Sequence, residues 1–402
     1  LFATQSLARA AFIATGTVSA LVSAQITGNT AWAGVPGAVL QSSAAFAALA
    51  VAALTESTGR RRGLALGLGV GVPGAALAAG AVVAESLLLF LAGLALMGAA
   101  SASIGLGRFA VAEVHPPERR GRAISNVVIG GAIGAVVGPL IVGPSGRWAQ
   151  RAGVNELAGP YLAAMVILAL AALATFVWLR PDPRDVGRKM AERHPEPTVH
   201  RGPARSIYQI FRTPAAAVAV LAMALSQMVM VMMMVVTSPY MMMHQHDLTD
   251  ISLVIAAHTF GMFAFSFVSG RLTDRWGRGW VILTGAGLLV LACTLAPLSP
   301  GVLPLAAALF LLGLGWNFCF VGSSTLLSDL LSPAERAKAQ GANDLLIGLS
   351  TAAASLGSGL IFAFSSYTVM GLVGAVAALV PFGLAGWWMV TQRRPAALGS
   401  GR

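Results

Sequence analysis

The chain has 402 residues, is 56% hydrophobic and only 10% charged, and carries a formal net charge of +11. Soluble domains run nearer 25% charged, so this balance excludes an ordinary globular protein. The basic residues fall in short loops between apolar runs, which marks them as topology signals rather than a nucleic-acid-binding face.

Apolar runs recur near residues 6–26, 36–56, 63–83, 86–112, 121–144 and 159–180. After a polar stretch they resume near 213–238, 250–270, 279–298, 303–327, 340–363 and 369–391. Each is long enough to cross a bilayer as a helix. Many of the 46 glycines lie inside the runs, where small side chains let helices approach closely in lipid. The first run is too long for a signal peptide and lacks a convincing cleavage site, so none is expected. The chain starts at Leu1, and a few native residues are expected upstream.

Lys and Arg concentrate after runs 2, 4, 6, 8 and 10 and in the tail. Examples are Arg60, Arg61, Arg62, Arg119, Arg120, Arg122, Arg271, Arg275, Arg278, Arg336, Lys338, Arg393 and Arg394. Arg147 and Arg151 fall on the opposite side. This bias predicts cytoplasmic termini in a multi-pass protein of the bacterial inner membrane. Cys293 and Cys319 lie within runs 9 and 10 and read as small apolar residues with no reason to pair.

The expected fold class is an all-α polytopic membrane protein, with twelve transmembrane helices in two pseudo-symmetric six-helix bundles. Residues 1–180 form the first bundle and 213–402 the second. Between them, 181–212 is a cytoplasmic linker, with Pro181, Pro183, Pro195, Pro197 and Pro203 among many charges. The halves repeat. Pro116-Pro117-Glu118-Arg119 matches Pro333-Ala334-Glu335-Arg336, and Asn126 matches Asn343 at the same shift. The loop starting at Leu54 matches the loop starting at Leu272. Paired six-helix halves are expected to rock around a substrate held near the midplane.

These features resemble the major facilitator superfamily across essentially the full length. Gly270-Arg271-Leu272-Thr273-Asp274-Arg275-Trp276-Gly277-Arg278 is similar to that family's loop signature. In the first half Glu56, Gly59 and Arg60 stand where Asp274, Gly277 and Arg278 stand in the second, while Ser57 replaces the first basic residue, Arg275. The expected role is a gating latch of carboxylate and guanidinium that releases as the halves rock. Gly130, Gly134, Gly138 and Pro139 resemble the family's antiporter motif, giving a small-residue face and a bend at the proline. That resemblance implies an exporter. Val142 departs from it, as does Leu94, which occupies a position where drug–proton antiporters carry Arg.

Ionisable groups inside a membrane are costly and mark function. Helices 1, 5 and 7 read as lacking a deep acid or base. Glu56, Glu85, Arg108, Asp329 and Asp344 lie near helix ends, and His258 is the ionisable residue well inside a run. With no deep acid–base or nucleophile pair, neither an enzyme nor a catalytic residue is expected, and no cofactor. Residues 228–243 hold Met228, Met230, Met232, Met233, Met234, Met241, Met242 and Met243 of the chain's 15 methionines. Met230 and Met234 share one face of helix 7, and His258 and Met262 share one face of helix 8. Counted inward from the loop joining these helices, the two pairs lie at similar depths. Three thioethers and a neutral imidazole suit Cu(I) and disfavour hard cations. Helix-spaced Met also serves as packing, and that reading applies to Met228, Met232 and Met233, which otherwise form a relay. Met241, Met242, Met243, His244 and His246 form an outer collecting mouth or ordinary loop residues.

The two tetrad pairs resemble the CcoA-like copper importers of bacteria. That resemblance implies copper as the transported substrate, bound by Met230, Met234, His258 and Met262 and delivered for biogenesis of cbb3-type cytochrome c oxidase. The expected partners are the copper ion, the lipid bilayer and an unidentified copper carrier; no nucleic acid is expected, and the protein is expected to be a monomer. The rival readings are a drug or metabolite efflux antiporter and, in another class, a static metal sensor or assembly factor on the same fold.

Overall fold

A computed structural model describes residues 1–193 and 205–398. Side chains at 108–109, 112, 117–122, 124–125, 191, 193, 333–334, 336–337 and 392–398 are outside that description, which includes Glu118 and the loop or tail arginines 119, 120, 122, 336, 393 and 394. Pro195, Pro197 and Pro203 of the linker also lie outside the described residues.

The described chain is all-helical. In the first half the helices are α1 (Phe2–Thr27), α2 (Val35–Thr58), α3 (Arg60–Gly69), α4 (Gly71–Val83), α5 (Leu87–Glu113), α6 (Pro117–Arg151) and α7 (Gly159–Trp178). Two short helices follow, α8 (Pro183–Arg193) and α9 (Ile207–Phe211). The second half contains α10 (Pro214–Met243), α11 (Leu248–Phe263), α12 (Ser266–Trp276), α13 (Arg278–Leu295), α14 (Val302–Asp329), α15 (Pro333–Phe364) and α16 (Tyr367–Leu398). By length and composition these supply 12 membrane-crossing spans among the described residues.

Two spans are built from paired helices. The third divides at Val70, within the glycine-rich run Gly67, Gly69, Gly71 and Gly74, where helix propensity is weak. The eighth divides at Ala264 and Phe265. There the Asn317 amide donates to the Met262 carbonyl at 2.7 Å and to Ser266 Oγ at 2.9 Å, serving a carbonyl next to the break. By contrast, α6 runs on through Pro139 and Pro144.

The chain falls into two compact units, Leu1–Thr198 with Met241–Ala256, and Val199–Tyr240 with Ala257–Arg402. In the first, α1 packs along α6 and α7, and α5 carries α2 and α4. The α1–α6 contact runs along a ladder. A Cβ on Gly130, Gly134 or Gly138 would lie 2.7, 2.0 or 2.7 Å from the carbonyl oxygens of Phe2, Ser6 and Ala10. Three glycines four residues apart thus lie on three carbonyls four residues apart, and Ser6 Oγ donates to the Gly130 carbonyl at 2.7 Å. The segment Met241–Ala256 lies on the other end of α6, where Arg147 donates to Thr249 Oγ1 at 2.6 Å and Leu248 fills the space beside Gly146. In the second unit α13 packs between α14 and α16.

The described ends of the linker, 181–193 and 205–212, are held by specific contacts. Asp182 caps α3 from a distance in sequence, accepting from the backbone N–H of Arg60 and Arg61 at 3.1 Å each, and from Arg184 N–H at 2.9 Å. At the other end Arg205 makes a two-pronged contact with Glu335 at 2.8 and 2.9 Å, and Glu335 also closes a capping box with Ser332. These bonds favour the ionised carboxylate and hold the Glu335 pKa well below the ordinary glutamate range, with Arg205 the largest cause. The stabilisation is therefore complete above about pH 4.3 and is lost as pH falls from there through the depressed folded-state value. Glu335→Gln should lower the thermal unfolding temperature at pH 7, and its difference from the parent should shrink steadily between pH 4 and pH 3; a difference independent of pH would refute this role.

Candidate functional site

The site centres on the meeting of α11 and α14. Two glycines set their separation. A Cβ on Gly261 would lie 2.4 Å from the Phe310 carbonyl oxygen, and one on Gly313 would lie 2.2 Å from that of His258. With neither Cβ present, the His258 ring reaches α14, and Nδ1 lies 2.9 Å from the Leu309 carbonyl oxygen. A carbonyl only accepts, so Nδ1 carries the proton. The neutral ring then presents a lone pair on Nε2. The residue is 1% exposed, and Nε2 has no hydrogen-bond partner among the described residues. A buried acceptor without a partner costs about 1–3 kcal/mol. An imidazole with one nitrogen tied to a carbonyl and the other free is what a metal-binding histidine requires.

Met230, Met234, His258 and Met262 all belong to the second unit, on α10 and α11. Met230 is buried, while Met234 and Met262 are half-buried. The His258 contact to α14 is one that helical spacing did not indicate. Among the described residues no three His, Cys, Asp or Glu side chains cluster to hold a metal. Met228 is half-buried, and Met232 and Met233 are buried; the Met232 methyl lies beside Gly374, next to Cys293 Sγ. At the expected outer mouth Met241 is fully buried, Met242 half-buried and Met243 exposed. His244 is exposed, and His246 Nδ1 lies 3.3 Å from the Asp250 carboxylate.

A second group of side chains lies on the same unit. Trp316 donates its indole N–H to Gln227 Oε1 at 2.8 Å. Its ring stacks on Phe320 at 5.0 Å and meets Phe263 edge-on at 6.3 Å. No periodicity in the sequence singled this group out. Arg9 was also missed: it is the eighth residue of α1, exposed, and without an ion pair among the described residues. The first span thus does hold a base, near one end.

The loop motifs have a geometry of their own. Gly59 and Gly277 adopt φ of 92° and 91°, a left-handed region that favours glycine. Each places the following arginine at a helix start. Arg60 donates from Nε to Glu113 at 3.0 Å, pairs through Nη2 with the other carboxylate oxygen, and reaches Thr55 Oγ1 at 3.0 Å. Arg278 donates to Asp329 at 2.9 Å and to the Thr273 carbonyl at 3.3 Å. Asp274 is more distant from Arg278, at 3.9 Å, and highly exposed. Glu56, Arg275 and Trp276 are exposed. The carboxylates on the loop arginines within each unit are thus Glu113 and Asp329, which lie outside the loop signature. Their near-repeat spacing was a readable signal.

A twelve-span helical chain made of two repeated halves with matching arginine loops defines a polytopic transporter fold. The sequence profile of the Major Facilitator Superfamily matches residues 1–249 and 219–402, and the chain belongs to that family. It is a transporter, not an enzyme. It is 36% identical over 373 residues to YdeG of Bacillus subtilis, an uncharacterized MFS-type transporter, covering 92% of this chain and 86% of that one. It is 30% identical over 362 residues to the riboflavin transporter RfnT of Brucella anthropi, covering 90% and 87%. The crystal structure of the nucleoside transporter NupG superposes with a TM-score of 0.68 at 16% identity, covering 96% of each chain, and shows the shared fold.

Proposed function

We propose that this transporter imports copper, as Cu(I), across the bacterial inner membrane by alternating access, with both termini in the cytoplasm, and supplies copper for assembly of cbb3-type cytochrome c oxidase. The observation that carries the reading is the buried His258 ring, with Nδ1 spent on Leu309 and Nε2 left open. Met262 follows on the same helix, and Met230 and Met234 supply the thioethers of α10. Thioether and neutral imidazole both favour Cu(I). Inward movement of a monovalent cation gains about 2.3 kcal/mol per 100 mV of inside-negative potential, so uptake requires no proton-carrying carboxylate.

The second reading is transport of a planar, polar organic molecule, inward or as efflux. It is favoured by the Trp316–Phe320–Phe263 group beside Gln227 and by full-length similarity to a riboflavin transporter.

Copper accumulation in cells decides between them. At matched membrane levels, Met230→Ala, His258→Ala and Met262→Ala should each lower accumulation at least about tenfold, while Trp316→Ala leaves it nearly intact. Unchanged copper in the first three variants, with riboflavin transport lost in Trp316→Ala, would establish the second reading instead.

A further inference from the structure

We propose that the first unit carries a binding site for an anionic glycerophospholipid, in a groove between α3 and α7. The groove has a volume of about 550 Å³ and is lined by Arg62, Ala65 and Leu66 on α3 and by Ala172, Leu173 and Phe176 on α7. Ala65 and Ala172 keep it open. Leu66, Leu173 and Phe176 line it as exposed apolar side chains, 56%, 57% and 42% accessible, within segments that cross the bilayer. Such a surface is covered by acyl chain.

What selects the headgroup is the charge at its mouth. Of three consecutive arginines, Arg60 is neutralised by Glu113. Among the described residues, Arg61 and Arg62 make no ion pair. The Arg61 guanidinium lies 4.7 Å from the centre of the Phe176 ring, and its Nε is buried without a hydrogen-bond partner. The nearby Asp182 carboxylate is occupied by the backbone N–H groups of Arg60, Arg61 and Arg184. Two guanidinium groups at the end of an apolar groove complement a phosphodiester with its chain laid below. Trp178, 77% exposed two residues beyond Phe176, is the aromatic type that anchors at the headgroup level. The site is separate from the His258 region and does not depend on what is transported.

The test uses the full chain purified in detergent and mixed with equal amounts of tetraoleoyl cardiolipin and dioleoyl phosphatidylcholine. Native mass spectrometry then counts the lipid retained. The parent should keep cardiolipin in preference, and Arg62→Gln should lower that retention about fivefold, as expected for one arginine near an anionic lipid surface. Arg62→Lys should preserve most of it. Ala172→Trp, which fills the groove but leaves both arginines, should lower it as well. Equal retention of both lipids by the parent, or cardiolipin retention unchanged in the folded Arg61→Gln/Arg62→Gln double variant, overturns the site.

Discussion

Replacing Gly134 by alanine should cost this protein most of its folded yield. The added Cβ would lie 2.0 Å from the Ser6 carbonyl oxygen, with the Ser6 carbonyl carbon and Cα at 2.8 and 2.9 Å. All three atoms are backbone, so no rotamer change relieves the clash, and α1 and α6 must separate. Overpacking of this kind costs about 1–3 kcal/mol where side chains can yield, and a backbone obstacle belongs at the upper end. Separation also breaks the Ser6 hydroxyl's bond to the Gly130 carbonyl. A Cβ added to Gly131, on the same helix, would meet nothing within 4 Å, and Gly131→Ala should leave stability unchanged. Thermal unfolding in detergent of the two variants, side by side, checks the ladder; equal stability would remove it.

The second large effect is expected at Arg60. Arg60→Ala deletes two bonds to Glu113 and one to Thr55, and leaves a carboxylate only 34% exposed without its partner. A fully exposed pair is worth about 0–1 kcal/mol and loss of one partner from a buried pair costs about 3–5 kcal/mol; this half-buried case should fall near 1–2 kcal/mol. Arg278→Ala should cost less, below about 1 kcal/mol, since its partner Asp329 is 50% exposed. A double-mutant cycle with Glu113→Gln isolates the pair. A coupling energy near zero, or a larger loss at Arg278, would show that the two loops are held by something else.

Much of the architecture was legible because a bilayer writes itself into composition. Twelve runs of about 20 apolar residues and the asymmetric arginines fixed the spans. What could not be read were contacts made by absence. Gly313 matters through the Cβ it lacks opposite His258, and nothing in its neighbourhood distinguishes it from Gly348, beside which there is open space. Helical periodicity in α10 and α11 carries no mark of α14, since a period reports which residues share a face and not which helix lies against it. Asp182 was hidden for a different reason. A linker carboxylate that caps a helix more than a hundred residues upstream leaves no local pattern. The broken eighth span was equally invisible, because Ala264 and Phe265 carry no breaker signal and the break is served by Asn317 from another helix.

The segment Met241–Ala256 has a consequence for how the chain can be divided. Its residues count with the first compact unit although they sit between α10 and α11 in the sequence. The polypeptide therefore passes from one unit to the other at the linker and twice more, near 240 and 256. A fragment ended at the linker would lack the hairpin that covers Gly143 and Gly146 of α6, and a fragment begun there would carry that hairpin with nothing to cover. The two repeats are therefore not interchangeable cassettes, because the boundary of each compact unit does not fall at the boundary of the sequence repeat.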